Sequence, residues 1–176
     1  MIFTPALLPG AFIVEPDLHR DVRGFFARTW CQEEFTAHGL NPRLVQCSVS
    51  FTERRGTVRG LHYQDAPHQE AKLVRCVRGA IHDVIVDLRR QSPTFRRHVA
   101  VELREGSYRM LYVPEGVAHG FQTLADGTEV AYQMSEFHRP EAARGVRWDD
   151  PAFAIPWPES VRVVSDRDRS FPDFAE

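Results

Sequence analysis

Residues 56–88 read GTVRGLHYQDAPHQEAKLVRCVRGAIHDVIVDL, and this stretch decides the predicted fold. It contains two strand-like segments that begin with polar residues and one long apolar run, separated by short turns. His62, Lys72 and Asp83 each lie within one of these segments. A base, a cation and a carboxylate are the groups needed to remove a proton from carbon. The stretch therefore predicts a β-sheet that carries acid–base chemistry.

The segments on either side continue the pattern of short strands separated by tight turns. Four turns contain an X-Gly pair in which glycine supplies the positive φ of a hairpin; they are residues 78–79, 105–106, 115–116 and 126–127. Many short strands at close spacing predict an antiparallel barrel or sandwich. The strand candidates are residues 11–14, 25–30, 44–52, 57–64, 72–78, 80–88, 98–103, 108–113, 119–125 and 128–135.

Helical and irregular segments are few. Residues 32–38 have a helical pattern that Gly39 is placed to end. Residues 17–23 are charged and are predicted to form a loop. From about residue 140 the sequence is rich in Trp, Pro and Asp, which is typical of a tail packed over the body of a domain. We expect one all-β domain over residues 1–176, with a few short helices.

Composition excludes several classes of protein. Of the 176 residues, 43% are hydrophobic and 26% are charged, with a net charge of −2, so neither a membrane protein nor a nucleic-acid partner is expected. Cys31, Cys47 and Cys76 match no metal or redox spacing. The N-terminus lacks the features of a signal peptide, and the apolar runs are too short to cross a bilayer. We expect a cytoplasmic protein.

Residues 114–119, PEGVAH, match the second half of the cupin pattern, P-x-G-x-x-H. A metal-binding cupin also needs an H-x-H pair and a Glu from the first half, whereas this chain has His62-Tyr63-Gln64 with one imidazole. Three neutral protein ligands cannot be assembled from the usual positions. The sequence therefore favours a cupin-like barrel without a metal.

Several motifs, in matching order from about residue 9 to residue 168, resemble the dTDP-4-dehydrorhamnose 3,5-epimerase family. This resemblance implies a cupin-type jelly-roll barrel and a cofactor-free epimerase acting on a nucleotide-diphosphate-linked 4-keto-6-deoxyhexose. The matching motifs are DVRGFF (21–26), RGLHYQ (59–64), KLVRCVRGAIHDVIVDLR (72–89), SPTF (92–95), VPEGVAHGF (113–121), RGVRWDDPAFAIPWP (144–158) and SDRD (165–168).

The resemblance also implies roles for individual residues. His62 resembles the base that removes a proton next to the 4-keto group, and Asp168 resembles its carboxylate partner. Lys72 resembles the cation beside the enolate oxygen, and Tyr132 resembles the acid on the opposite face. Inversion at carbon needs two such groups on opposite faces. The expected substrate contacts are Arg23, Arg59 and His119 at the diphosphate, Gln46 at the nucleotide, and Phe26 and Gln64 within the matching motifs.

The residues expected around the nucleobase depart from the family pattern. Arg28 replaces a Glu, Ser48 ends the triplet Gln46-Cys47-Ser48, His138 replaces the aromatic that stacks on thymine, and Ala143 replaces another Glu. The imidazole of His138 can still stack on a base. Thymidine is therefore the default nucleoside, with weaker discrimination expected.

Three questions stay open from the residues alone. Asp83 could be a structural hydrogen-bonding group or a second partner near His62, since a buried carboxylate without a partner is costly. Arg59 and His62 fall on opposite faces of a regular strand, so either Gly60 marks a bulge or Arg59 lies at the mouth of the strand. Tyr132 could also be a core aromatic whose hydroxyl is hydrogen-bonded.

The resemblance implies a homodimer in which the N-terminal strands, about residues 1–30, exchange between subunits and bring Arg23 to the partner's pocket. Alternative functions are a C3-only epimerase, a 3,4-ketoisomerase, a metal-dependent cupin oxygenase and a non-catalytic sugar-binding module.

Overall fold

The computed structural model describes residues 1–175, which form thirteen strands and two short helices. The strands are β1 (Ile2–Pro5), β2 (Phe12–Glu15), β3 (His19–Asp21), β4 (Gly24–Phe26), β5 (Gln46–Thr52), β6 (Val58–Gln64), β7 (Lys72–Arg78), β8 (Ala80–Asp87), β9 (His98–Arg104), β10 (Met110–Val113), β11 (Val117–Thr123), β12 (Thr128–Met134) and β13 (Ala143–Gly145). The helices are α1 (Gln32–Ala37) and α2 (Asp166–Arg169).

Two antiparallel sheets contain all but two of these strands. The first sheet has the order β1-β2-β10-β7-β12-β5, and the second has the order β13-β6-β11-β8-β9. Strands β3 and β4 form a separate hairpin. Sequence neighbours such as β7 and β8 lie in different sheets, as in a jelly roll. The prediction of an all-β jelly-roll barrel with a few short helices is confirmed.

The main core lies between the two sheets. Leu111 of the first sheet packs in the same cluster as Ile85 and Phe121 of the second, and all three are almost fully buried. Burying a side chain of this size stabilises a fold by about 1.5–3 kcal/mol. The two sheets are thus held face to face, which fixes the strands that carry polar side chains between them.

Strand β8 is buried on both faces, which explains its nearly continuous apolar sequence. Ile81 and Ile85 belong to the core between the sheets, whereas Val84 and Val86 belong to a second cluster on the outer side. That outer cluster contains Val146 and Phe153 of the C-terminal segment, which here means residues 140–175. The C-terminal segment therefore covers the outer face of the second sheet.

Most predicted elements are present within one or two residues of the expected bounds. Strand β7 has the predicted bounds, and α1 ends where Gly39 adopts a φ of +70°. The prediction for the hairpin region was wrong, because residues 27–30 lie outside strands and His19–Asp21 forms β3. Both hairpin strands are exposed, so no alternation of apolar residues marks them in the sequence.

Candidate active site

A cavity of about 640 Å³ opens between the sheets and is lined by residues of both sheets and of the C-terminal segment. Most of the residues that the sequence singled out lie along its wall. They are Gln46 and Ser48 of β5, Arg59 and His62 of β6, Lys72 of β7, His119 of β11, Tyr132 of β12, His138 and Asp168.

A bulge in β6 brings Arg59 and His62 to the same cavity. His62 pairs with His119 of β11, but Arg59 pairs with Phe121, so three steps along β6 match two steps along β11. Gly60 lies in this bulge with a φ of +115°, and a Cβ on it would lie 2.6 Å from the Cα of Gly120. Of the two explanations for the Arg59–His62 spacing, the structure shows the bulge.

His62 is paired with Asp168, a carboxylate that comes from the far end of the chain. The His62 Nε2 atom lies 2.6 Å from Asp168 Oδ1, and the backbone N–H of Gly60 donates to Asp168 Oδ2 at 3.1 Å. Asp168 sits in the first turn of α2, where the side chain of Ser165 accepts a hydrogen bond from its backbone N–H. Both carboxylate oxygens of this buried residue therefore have partners.

Asp168 is ionised beside His62. Burial alone favours the neutral acid, but the hydrogen bonds from His62 and the Gly60 N–H outweigh it and hold the pKa of Asp168 below its ordinary value. A carboxylate in this position fixes the tautomer of the imidazole and stabilises the imidazolium. The side chain of His62 is 42% exposed and so remains open to the cavity.

Lys72 is the first residue of β7 in the first sheet, and its side chain reaches across to β6. Its Nζ donates to the backbone carbonyl of His62 at 3.1 Å and forms an ion pair with Glu70 Oε1 at 3.0 Å. Lys72 is buried, so its charge acts in surroundings of low dielectric. Glu70 was not predicted as its partner, because it lies in the irregular loop before β7.

Tyr132 lines the cavity from the first sheet, whereas His62 lines it from the second. Its hydroxyl lies 3.3 Å from the Ser50 hydroxyl, and its ring stands at 76° to the His119 ring, with the ring centroids 6.1 Å apart. Burial raises the pKa of Tyr132 far above its ordinary value, so this hydroxyl carries its proton at neutral pH. Tyr132 is thus a proton-bearing group on the sheet opposite His62.

The second histidine of the cavity, His119, is paired with Asp83. His119 Nε2 lies 2.7 Å from Asp83 Oδ1, and both side chains are buried. The other oxygen, Asp83 Oδ2, is buried without a hydrogen-bond partner among residues 1–175. Of the two interpretations of Asp83, direct pairing with His62 is not observed, since Asp168 occupies that position.

Gln46 and Gln64 hold the loop that carries His138. Gln46 Oε1 accepts the backbone N–H of His138 at 2.5 Å. The side chain of Gln64 donates to the carbonyls of His68 and Phe137 and accepts the N–H of Arg139. Gln64 is buried in these contacts and does not line the cavity, so its prediction as a direct substrate contact is not supported within this chain.

Three N-terminal residues of the prediction lie away from the cavity of their own chain. Arg23 pairs with Asp21 in the exposed turn between β3 and β4, and Phe26 is 75% exposed. Arg28 pairs with Glu34 of α1. These residues belong to the separate hairpin and the chain that follows it, and none of them lines the cavity.

Some cavity residues were missed by the sequence analysis. Arg167 lines the cavity between Asp166 and Asp168, and Ser50 and Met134 line it from the first sheet. Arg167 is the basic residue of the SDRD motif, and its place in that motif could have predicted it as a cavity residue. Within residues 1–175, no three His, Cys, Asp or Glu side chains are grouped to hold a metal ion. The same residues contain no helix with the length and apolar character needed to span a bilayer.

Comparison with known proteins adds independent evidence. A family model described as dTDP-4-dehydrorhamnose 3,5-epimerase matches residues 5–176. The chain belongs to the dTDP-4-dehydrorhamnose 3,5-epimerase family. A member of this name from Methanothermobacter thermautotrophicus is 40% identical over 177 residues, covering 99% of this chain and 95% of the relative. The resemblance seen in the motifs is therefore confirmed over nearly the whole length.

Solved structures of family members share the fold. The crystal structure of a dTDP-4-dehydrorhamnose 3,5-epimerase from Bacillus anthracis, with TDP and PPi bound, has a TM-score of 0.93 at 39% identity, covering 98% of this chain and 99% of that one. A 3'-monoepimerase from Streptomyces bikiniensis, in complex with dTDP-quinovose, has a TM-score of 0.88 at 34% identity, covering 96% and 86%. The similar structures thus include a 3,5-epimerase and a 3'-monoepimerase.

Proposed function

We propose that this protein is a cofactor-independent epimerase of a nucleotide-diphosphate-linked 4-keto-6-deoxyhexose. The default reaction converts dTDP-4-dehydro-6-deoxy-D-glucose to dTDP-4-dehydro-L-rhamnose by inversion at C3 and C5. The main support is one arrangement: the His62–Asp168 pair and the proton-bearing Tyr132 line one cavity from opposite sheets. Inversion at carbon requires a base on one face and an acid on the other.

The first step is removal of a proton from the carbon next to the 4-keto group. His62 Nε2 is engaged by Asp168, which leaves Nδ1 as the nitrogen that takes the proton. The electron pair of the broken C–H bond moves into the carbonyl and forms an enolate. Asp168, held ionised by its hydrogen bonds, stabilises the imidazolium that results. A positioned base of this kind contributes about 10²–10⁴ in rate.

Lys72 and Tyr132 complete the chemistry. The ammonium of Lys72, next to the backbone of His62, stabilises the enolate oxygen without a metal or cofactor. Tyr132 then gives its proton to the opposite face of the carbon, which inverts it. The substrate's own carbonyl is the electron sink.

Proton NMR in deuterium oxide tests this function directly. The expected result with dTDP-4-dehydro-6-deoxy-D-glucose is loss of the H3 and H5 signals and appearance of the L-rhamno product. The 3'-monoepimerase relative makes C3-only inversion the second candidate, and deuterium at C3 alone would select it. No exchange with any nucleotide-linked 4-keto-6-deoxy sugar would contradict both.

The diphosphate is the part of the substrate that we expect to supply most of the affinity. Arg59, His119 and Arg167 line the same cavity as His62, and charge-assisted contacts to phosphate are strong whatever the base. The TDP and PPi bound to the Bacillus anthracis relative support such a site.

Selection of the base is expected to be weak. Ser48 and the exposed His138 line the cavity where the family pattern has other residues, and Arg28 and Ala143 contribute nothing to its wall. Calorimetric titration with dTDP, UDP, CDP and GDP measures the discrimination. We expect dTDP to bind most tightly but by less than about 100-fold, roughly 2.7 kcal/mol. A larger preference for dTDP would contradict this prediction.

We further propose a cytoplasmic homodimer in which the β3–β4 hairpin reaches the partner. Strand β2 lies between β1 and β10 of the same chain, so within the predicted N-terminal segment, about residues 1–30, the separate hairpin is the part that we propose to reach the partner. The hairpin exposes Val22 and Phe26, and the edge strand β5 exposes Val49 and Phe51. Covering such apolar edges favours association. A reducing compartment suits the three free cysteines.

Mixed dimers test the exchange. Arg23→Ala and His62→Ala homodimers should each be nearly inactive. If Arg23 acts in the partner's cavity, a mixed dimer with one subunit of each variant contains one intact site. Recovery of about one quarter of wild-type activity is expected for random mixing. No recovery, or a monomeric mass at micromolar concentration, would contradict the proposal.

A further inference from the structure

The strand that flanks His62 lacks a side chain at the position next to it. Strand β13 pairs with β6 so that Gly145 lies directly opposite His62. Directly opposed residues of antiparallel strands point to the same face, with their Cβ atoms about 5 Å apart. Any larger residue at position 145 would therefore place a side chain beside the imidazole. Glycine leaves that space free.

Phe171 fills the space that Gly145 leaves. A Cβ on Gly145 would lie 2.3 Å from Cε2 and Cζ of the Phe171 ring, well inside any permitted contact. The ring of Phe171 stands at 70° to the ring of His62, with centroids 6.2 Å apart. Phe171 thus packs on Gly145 of β13, and its ring is T-shaped to the imidazole of His62.

One short segment delivers both neighbours of His62. Asp168 and Phe171 are three residues apart, on α2 and just beyond its end. Asp168 holds the imidazole through a single nitrogen, Nε2, and the side chain of His62 is otherwise 42% exposed. A single hydrogen bond leaves the ring free to tilt and to swing out of the pocket. A second contact, from a different direction, restricts both movements.

We propose that Phe171 is a positioning residue for His62: seated on Gly145, its ring holds the imidazole in line with Asp168 and the substrate carbon. This inference rests on the proposed epimerase function. Phe171 does not touch the transferred proton, so its effect is on the orientation of the base. A small misplacement of a catalytic group lowers the rate of the chemical step without changing substrate binding.

A double-mutant cycle of Phe171→Ala and Gly145→Ala tests the contact. Phe171→Ala should lower kcat about 10-fold and change KM less than 3-fold. Gly145→Ala should lower kcat to a similar extent in the wild-type background, because the new methyl displaces the ring. The methyl also lies 2.9 Å from the Leu61 carbonyl, but that cost is present in both backgrounds and cancels in the cycle. Combined, the two changes should lower kcat by clearly less than the product of their separate effects.

Phe174→Ala is the matched control. Phe174 belongs to the same segment, but its ring packs on Phe153 at 5.1 Å and Phe95 at 6.1 Å, away from His62. This variant should lower the melting temperature and leave kcat near the wild-type value. Equal losses of kcat in Phe171→Ala and Phe174→Ala would overturn the proposal, because Phe171 would then only anchor the segment.

Nitrogen-15 NMR of the His62 ring in the ligand-free protein provides a readout that does not need activity. The wild type should show one dominant tautomer at neutral pH, and Phe171→Ala should shift the ring signals toward averaged values. Unchanged His62 signals in Phe171→Ala would overturn the proposal. If the wild type shows no epimerisation, the proposed function fails, while these signals still decide whether Phe171 positions His62.

Discussion

The two histidine–aspartate pairs of the cavity have nearly the same geometry and different surroundings. Nε2 to Oδ1 distances are 2.6 Å in His62–Asp168 and 2.7 Å in His119–Asp83. The two histidines face each other across β6 and β11. The side chain of His62 is 42% exposed, however, whereas that of His119 is 5% exposed. Pairing alone therefore does not distinguish a base from a binding group.

The carboxylates differ as much as the imidazoles. Asp168 receives a second hydrogen bond from the Gly60 N–H, which helps to keep it charged while His62 takes a proton. Asp83 Oδ2 has no hydrogen-bond partner among residues 1–175, so only one of the two oxygens of Asp83 is hydrogen-bonded. We therefore expect the exposed His62–Asp168 pair, the open pair, to exchange a proton with substrate, and the buried His119–Asp83 pair to hold its histidine in place.

Replacing each carboxylate by its amide should separate the pairs most strongly. Asp168→Asn removes the charge that supports the imidazolium, and we expect kcat to fall about 10²–10³-fold. Asp83→Asn keeps an oxygen for His119, so kcat should fall less than about 10-fold and stability should fall by about 1 kcal/mol. Steady-state kinetics and thermal unfolding of both variants measure the contrast. Equal losses of kcat would remove the distinction between the pairs.

Tyr132→Phe should have the next largest effect. This change removes the proton donor on the opposite sheet while His62 and Asp168 stay in place. Deuterium exchange should continue at one carbon at least, while completed inversion falls about 10–100-fold. Ser50→Ala is the control, since it removes the hydroxyl next to Tyr132 and leaves the acid. Normal inversion by Tyr132→Phe would exclude this residue as the acid.

The smallest expected effect is on stability in acid. Because the folded-state pKa of Asp168 lies below its ordinary value of about 3.8, its ionised form contributes stability above that pH. That contribution is lost as the pH falls through the folded-state pKa. Asp168→Asn should therefore be less stable than the wild type at pH 7 by about 1 kcal/mol, a shift of a few degrees. The difference should shrink below about pH 4, as unfolding curves from pH 7 to pH 2.5 would show.

Asp87 provides an internal reference for the acid series. Burial opposes its ionisation, but hydrogen bonds from Arg89, Ser92 and Thr94 lower the pKa of Asp87 to about 2. The stability that ionised Asp87 contributes is lost over the same range of pH in the wild type and in Asp168→Asn. A constant difference between Asp168→Asn and wild type across the series would show that Asp168 is not held ionised by the fold.

The strands and the main site residues could be predicted because local sequence determines them. Strand β7 and helix α1 carry clear periodicity and end at glycines, and the RGLHYQ and SDRD motifs locate His62 and Asp168. The contact between His62 and Asp168 could not be derived from periodicity, since 106 residues separate them in the sequence. It came only from the family resemblance.

Other features depend on register and could not be predicted. Asp83 pairs with His119 because β8 and β11 are neighbours in one sheet, and the sequence left its partner open. Phe171 reaches His62 only because Gly145 stands opposite in β13, a strand too short and irregular to be recognised. Contacts between distant strands follow from the assembled sheet.

Deuterium exchange catalysed by His62→Ala, with His119→Ala as its counterpart, tests the central claim most directly. If His62 is the base, His62→Ala should lose exchange at the substrate carbons by about 10²–10⁴-fold and keep dTDP affinity within about 3-fold. His119→Ala should instead weaken dTDP binding and retain exchange at saturating substrate. Wild-type exchange rates in His62→Ala would contradict the assignment of the open pair as the site of proton transfer.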